Sequence, residues 1–283
     1  MALAMDPVVS TGWLAERLGT PSLRVVDGSW HMPAEARNGR EEHLQVHIPG
    51  AVFFDIDAIA DQTTDLPHML PTPEAFAKAA GALGLSRDAD IVVYDVHGIR
   101  SAARVWWTLR AMGYDKVHVL DGGLRKWLAE GRPVESGAVT PTTVEVAPKF
   151  DPGLVRAADD VRQILASGAA RMVDARSAAR FTGEAPEPRA GLQSGHMPGA
   201  ANVPWEKVIA DDGTLRPPAE LTAVFEAGGI DLAAPIVTTC GSGVTASVLA
   251  LALARLGLER TAVYDGSWTE WGGLADAPVV TGP

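Results

Sequence analysis

The feature that most constrains this chain is that it is written twice. Leu23–Trp30, "LRVVDGSW", is answered by Ala170–Ser177, "ARMVDARS", and His47–Ile56, "HIPGAVFFDI", by His196–Trp205, "HMPGAANVPW". "IVVYDVHGIRSAARVWWTLRAMG" pairs with "IVTTCGSGVTASVLALALARLG", and Val119–Trp127, "VLDGGLRKW", with Val263–Trp271, "VYDGSWTEW". Four blocks in one order at a nearly fixed offset imply a duplicated unit. Its period is domain-sized, so the expectation is two tandem domains and not a solenoid. The 283 residues suffice for two separate cores.

Each half alternates short β-branched runs ("VVD", "IVVYD", "VHVLD") with helical patterns. Thr72-Pro73-Glu74 reads as a helix start, a capping hydroxyl followed by proline at the first helical position, and "PPAELTAVFEAGG" holds the same place in the second half. Strands alternating with helices predict an α/β fold, each half a parallel sheet with helices on both faces. The domains are expected at residues 1–135 and 153–283, joined by the Pro/Thr/Gly-rich linker 136–152, "SGAVTPTTVEVAPKFDP".

A net charge of −11 argues against a nucleic-acid partner, which needs clustered Lys and Arg, and against an anionic membrane surface. A single cysteine rules out an intrachain disulfide and a cysteine-rich zinc site. Of the seven histidines only His43 and His47 stand at HxxxH spacing and no HExxH occurs, so no metal is expected, and no cofactor. The N-terminus lacks a basic region and apolar core of signal-peptide type, and no run approaches ~18 apolar residues. A reduced, cytoplasmic protein is expected.

The one cysteine, Cys240, stands directly after the apolar run "PIVTT" and before "GSGVTAS", which leads into a long helical pattern. In α/β sheets ligands sit at the carboxyl ends of the strands. Gly241 and Gly243 permit backbone angles closed to other residues, so that successive N–H groups can line one concavity, and Thr245 or Ser247 could cap the helix. A helix N-terminus and a nest of amides both favour an anion, and the thiolate is the nucleophilic form of cysteine. The same amides would stabilise a persulfide. A buried cysteine acting as a small hydrophobe is the bland alternative. Against it, the matching position in the first half is Asp95, whereas a core position would stay apolar in both copies.

"CGSGVTAS", the paired "HIPGA" and "HMPGA" loops, and "DARSAARFTGEAPEPR" together resemble the 3-mercaptopyruvate sulfurtransferases, and "HIPGAVFFDIDAIAD" followed by "LPHMLP" is similar to their bacterial members. The resemblance covers nearly the whole chain. It implies two tandem rhodanese-like domains, an inactive N-terminal one and a C-terminal one carrying the nucleophile at Cys240, in a loop running through Gly241, Ser242, Gly243, Val244 and Thr245. Relatives that prefer thiosulfate carry Arg-Lys after the cysteine, where Gly241 and Ser242 stand here.

Mercaptopyruvate carries a carboxylate beside a ketone, which arginine grips through two parallel hydrogen bonds. The resemblance places that role on Arg180 and Arg189. The stretch "ARFTGEAPEPR" is expected to lack regular structure and to have no counterpart in the first half; Arg176 reads as structural, and Glu187 as able to orient an arginine. The family also implies that Ser242 and His47 assist with protons. Glu35, Glu41 and Glu42 are open candidates for an acidic third member, and none is assigned.

The expected reaction is double displacement: sulfur passes from 3-mercaptopyruvate to Cys240, pyruvate leaves, and the persulfide yields its outer sulfur to a thiol such as thioredoxin or to cyanide. The alternatives are a thiosulfate sulfurtransferase and a non-catalytic rhodanese-like binding module. A cysteine phosphatase would need an arginine at position 246, which is Ala246.

Overall fold

In a computed structural model, residues 6–283 are described. By contacts the chain forms two compact units. The first holds the described residues through Gln62, with Pro71–Asp151 and Asp211–Leu215; the second holds Thr63–Leu70, Pro152–Ala210 and Arg216–Pro283.

The first unit contains β1 (Val8–Val9), β2 (Leu23–Asp27), β3 (Val52–Phe53), β4 (Asp90–Tyr94) and β5 (Val117–Leu120), in the order β1-β5-β4-β2-β3. The second contains β6 (Val155–Arg156), β7 (Arg171–Asp174), β8 (Ala201–Asn202), β9 (Ile236–Thr239) and β10 (Ala262–Tyr264), in the order β6-β10-β9-β7-β8. Every pairing is parallel. The repeat seen in the sequence is thus one topology used twice, each parallel sheet flanked by helices.

Both faces of each sheet are covered, which is why the central strands are apolar throughout rather than alternating. In β4, Val92 and Tyr94 join a core with Leu14, Leu124 and Trp127, while Val93 on the opposite face packs with Val105 around Gly28. In β9, Val237 joins Met172, Tyr264, Trp268 and Trp271. The helix that follows β9, Val244–Arg255, buries nearly every side chain, which explains its unbroken run of Val, Leu and Ala.

The helix expected after Thr72 spans Pro73–Ala82, with the Thr72 hydroxyl accepting from the Ala75 amide. Residues 138–151 carry no regular structure and lie against the first unit. The Val144 amide donates to the Gly81 carbonyl and the Asp151 amide to that of Ala111. A Cβ on Gly81 would meet the Val144 carbonyl oxygen at 2.5 Å, so this strap needs glycine there.

Candidate active site

Cys240 follows β9 directly, at the carboxyl edge of the sheet beside the strand pair β9–β7, and only 2% of it is exposed. Its loop is anchored through its carbonyls. The Cys240 carbonyl accepts from the Trp268 amide (2.9 Å), and that of Gly241 from the Thr269 amide (2.8 Å) and hydroxyl (2.6 Å). Gly243 adopts φ +78° and starts the helix Val244–Arg255. The expected cap is absent: no side chain caps this helix, and the Ser247 hydroxyl donates backwards to the Gly243 carbonyl. The first amides of the helix have no carbonyl to reach within it. Gly241 does not share the left-handed φ; what it provides is room, because a Cβ there would lie 3.1 Å from an Arg180 nitrogen.

The first unit shows what such a loop holds. Asp95 follows β4 as Cys240 follows β9, and it is fully buried. Its Oδ1 accepts from the amides of His97 (2.8 Å) and Gly98 (3.1 Å), and its Oδ2 from those of Arg100 (2.8 Å) and Ala102 (2.8 Å). Gly98, the partner of Gly243 in the repeat, also has a left-handed φ of +117°. Four amides converge on one negative charge. Ser242, Gly243, Thr245 and Ser247 hold the matching places after Cys240; Ser242 is buried and Thr245 half-buried.

The stretch 178–187 departs from the expected irregular loop. Ala178–Thr182 is a short helix, stopped by Gly183 in the left-handed region, and Arg180 sits on it. Nor is it a long insertion: His47 follows Asp27 by 20 residues and His196 follows Asp174 by 22, so stretches differing by two residues are filled differently. In the first unit that space holds the helix Gly39–Gln45.

A chain of charges connects the arginines. Arg176 is fully buried, forks onto Asp174, donates to the Gly195 carbonyl and lies 4.1 Å above the Trp268 ring. Burial opposes its charge, but Asp174 and then Glu187 outweigh it, so its pKa is raised. Glu187, with 2% of its side chain exposed, accepts from Arg176 at 2.8 Å and from two nitrogens of Arg180. Arg180 is thereby laid across Gly241. The four charges cancel, so an anionic substrate needs a further cation. Arg189, half-buried two residues beyond Glu187, is on the same stretch.

His47 belongs to the first unit. Its ring stacks on His43 at 4.3 Å, its Nδ1–H donates to the His43 carbonyl, and its backbone pairs with Glu135. His196 is framed likewise, bonded through Nδ1 to the Phe181 carbonyl and paired with Val280. The two differ at the other nitrogen. Among the described residues, buried Nε2 of His47 has no hydrogen-bond partner, and the Glu135 carboxylate is 4.0 Å away.

One site residue was missed. Ser267 is fully buried, has φ +50°, accepts from the Cys240 amide (3.2 Å) and donates to the Tyr264 carbonyl (2.8 Å). Its partner in the repeat is Gly123, at φ +55°. Setting "DGG" against "DGS" is the only signal in the sequence, and it shows a left-handed position that surrendered its glycine.

The Rhodanese-like domain family matches residues 10–130 and 157–274. The chain is 46% identical over 272 residues to 3-mercaptopyruvate sulfurtransferase of Escherichia coli K12, covering 96% of each. It is 46% identical over 297 residues to the mitochondrial thiosulfate/3-mercaptopyruvate sulfurtransferase 1 of Arabidopsis thaliana, covering 97% of this chain and 78% of that one. Among solved structures it superposes on SseA from Escherichia coli, a 3-mercaptopyruvate sulfotransferase by description. The TM-score is 0.86 at 43% identity, over 93% of this chain and 99% of that one. Among the described residues no helix is long and apolar enough to cross a membrane.

Proposed function

The chain belongs to the tandem rhodanese-like sulfurtransferases, and from that premise we propose that it moves sulfur from 3-mercaptopyruvate to a thiol or to cyanide through a persulfide on Cys240. The observation that carries this reading is the Asp95 carboxylate held by four loop amides at the place of the cysteine. A loop of this build accommodates a fixed anion, and a persulfide is one.

The Cys240 thiolate attacks the sulfur of the donor. The carbon–sulfur bond breaks, its electron pair moves into the adjacent ketone as an enolate, and the donor's thiol proton ends on that carbon, giving pyruvate. Ser242, in the loop, and His47, with a bare Nε2, are the groups proposed to move that proton. Arg180, set on Gly241 by Glu187, and Arg189 receive the donor carboxylate. Gly241, Gly243, Val244 and Thr245 supply the backbone around the sulfur. An acceptor thiolate, as on thioredoxin, or cyanide then takes the outer sulfur and returns Cys240 to thiolate. No cofactor enters this chemistry.

The domain limits proposed remain 1–135 and 153–283, with the nucleophile Cys240 in the second and Asp95 at its place in the first. The cytoplasm is proposed as the compartment because Cys240 must stay reduced to act. Gly241 and Ser242 bring no cation beside the sulfur, which favours a mono-carboxylate donor over dianionic thiosulfate.

The test is intact-mass spectrometry under non-reducing conditions after adding donor without acceptor. One added sulfur atom is expected on the Cys240 peptide, removed by cyanide and absent from Cys240→Ser. Thiosulfate run in parallel should load it more slowly. Turnover without the adduct in rapid-quench samples would replace double displacement by direct transfer.

A further inference from the structure

The first unit carries a second cluster of reactive side chains at the same edge of its sheet, unused by sulfur transfer. His31 Nδ1 lies 3.2 Å from His97 Nε2 and 3.5 Å from a Glu35 carboxylate oxygen, and ligand atoms of all three lie within 4.8 Å of one another. No local spacing announces it, because His97 reaches His31 across 66 residues of sequence. His97 stands in the pseudo-catalytic loop, two residues after Asp95.

We propose that His31, His97 and Glu35 form a binding site for one divalent first-row transition ion, of which Zn2+ is the probe. The orientation of the imidazoles carries the argument. His31 Nε2 is 2.9 Å from a Glu42 carboxylate oxygen, itself fixed by Arg37, so Nε2 bears the hydrogen. Nδ1 is then a bare lone pair aimed at His97 and Glu35, the tautomer in which histidine binds metals through a carboxylate–histidine relay. The His31 side chain is 1% exposed, so this lone pair has no access to bulk water. In the empty cluster the His97 Nε2–H fills it; a metal would take the place of that one hydrogen.

The separations fit. With metal–nitrogen bonds of about 2.05 Å, two nitrogens 3.2 Å apart subtend an angle of about 100° at the ion. An oxygen 3.5 Å from His31 Nδ1, bound at about 2.1 Å, subtends about 115°. Both angles bracket the tetrahedral value. Glu35 Oε1 accepts from Arg100 at 3.0 Å, while Oε2, the oxygen facing His31, accepts from the Met32 amide at 2.9 Å and from Arg100 at 3.3 Å. An ion on Oε2 would displace the longer Arg100 bond, and the fourth position falls to water. Two imidazoles and one carboxylate suit zinc, nickel, copper or iron rather than calcium or magnesium.

The experiment uses the full, tag-free chain as Cys240→Ser, which removes the only thiolate that competes for zinc. After chelator treatment and dialysis against Zn2+, one equivalent per chain is expected. Co2+ should give the visible bands of a four-coordinate nitrogen/oxygen site without sulfur charge transfer. His97→Gln and Glu35→Gln should each weaken Zn2+ binding at least tenfold with an unchanged circular dichroism spectrum. Glu42→Gln, which only positions His31, should weaken it about 10- to 100-fold. Failure of the parent to retain zinc, or retention by His97→Gln equal to the parent's, overturns the site.

Discussion

Ser267 allows stability and activity to be separated at one position. A non-glycine residue in the left-handed region costs roughly 1–2 kcal/mol, and Ser267 sits there at φ +50°. Its hydroxyl bridges the Cys240 amide and the Tyr264 carbonyl in a buried site. Ser267→Ala keeps the strain and removes the bridge, which strands a buried donor and acceptor at a cost of about 1–3 kcal/mol. Ser267→Gly removes the same bridge and also relieves the strain, as Gly123 does in the first unit. The glycine variant should therefore be more stable than the alanine variant by about 1 kcal/mol. Sulfur transfer should not follow that order. Both variants lose the bond that aims the Cys240 backbone, and a loss of orientation worth about 1.4 kcal/mol is tenfold in rate. The assay pairs urea unfolding, followed by fluorescence of the neighbouring Trp268, with rapid-quench mass spectrometry of persulfide formation. Equal, roughly tenfold slower loading in both variants is expected. Recovery of the rate in Ser267→Gly would show that the hydroxyl is irrelevant to catalysis, and equal stability of the two would refute the strain.

Arg180→Ala should lower kcat/KM for mercaptopyruvate about ten- to hundredfold, because a lost charged hydrogen bond costs about 1.5–3 kcal/mol, while the unfolding midpoint barely moves. Glu187→Gln should do both kinds of damage, freeing Arg180 and leaving buried Arg176 with Asp174 as its one acidic partner; steady-state kinetics and urea unfolding together check this. Asp95→Asn turns a donor toward two of the four amides it serves, so it should destabilise by about 2 kcal/mol or more in urea unfolding. Gly81→Ala should destabilise by about 1–3 kcal/mol despite the better helix propensity of alanine, since its Cβ meets the strap at 2.5 Å, and faster proteolysis within 138–151 would reveal it.

The sheets were legible because a buried parallel strand is a run of β-branched residues, and the repeat doubled each such signal. β1, β3, β6 and β8 were not, since two residues carry no period and their pairing is set by neighbours distant in sequence. Cys240 was legible because it is the only thiol and ends a strand. The helix Ala178–Thr182 was hidden by the turn formers just beyond it, and Gly183 marks its stop rather than an irregular loop. The role of Glu187 could be guessed, but not that Asp174 and Arg176 complete the chain of charges, because salt bridges between a strand end and a loop follow no spacing. The meeting of His31 with His97 was invisible for the same reason.

The duplication offers its own control for what activity requires. Both units have the strand order, the left-handed glycine and the helix start that together make a concavity for negative charge. The cradle is therefore a property of the fold and precedes any chemistry. In the first unit a carboxylate occupies it permanently, and four short hydrogen bonds make that occupant structural. The second unit differs at three places: a thiol instead of the carboxylate, a strained serine instead of glycine behind it, and a helix bearing Arg180 where the first unit has Gly39–Gln45. A thiol alone would give the second unit an anion without a donor to attack. On the proposed reading, Arg180 alone would hold a donor carboxylate with nothing to react. Only the serine lowers intrinsic backbone stability, and a residue kept at that cost beside the nucleophile points to selection for the position of the sulfur rather than for packing.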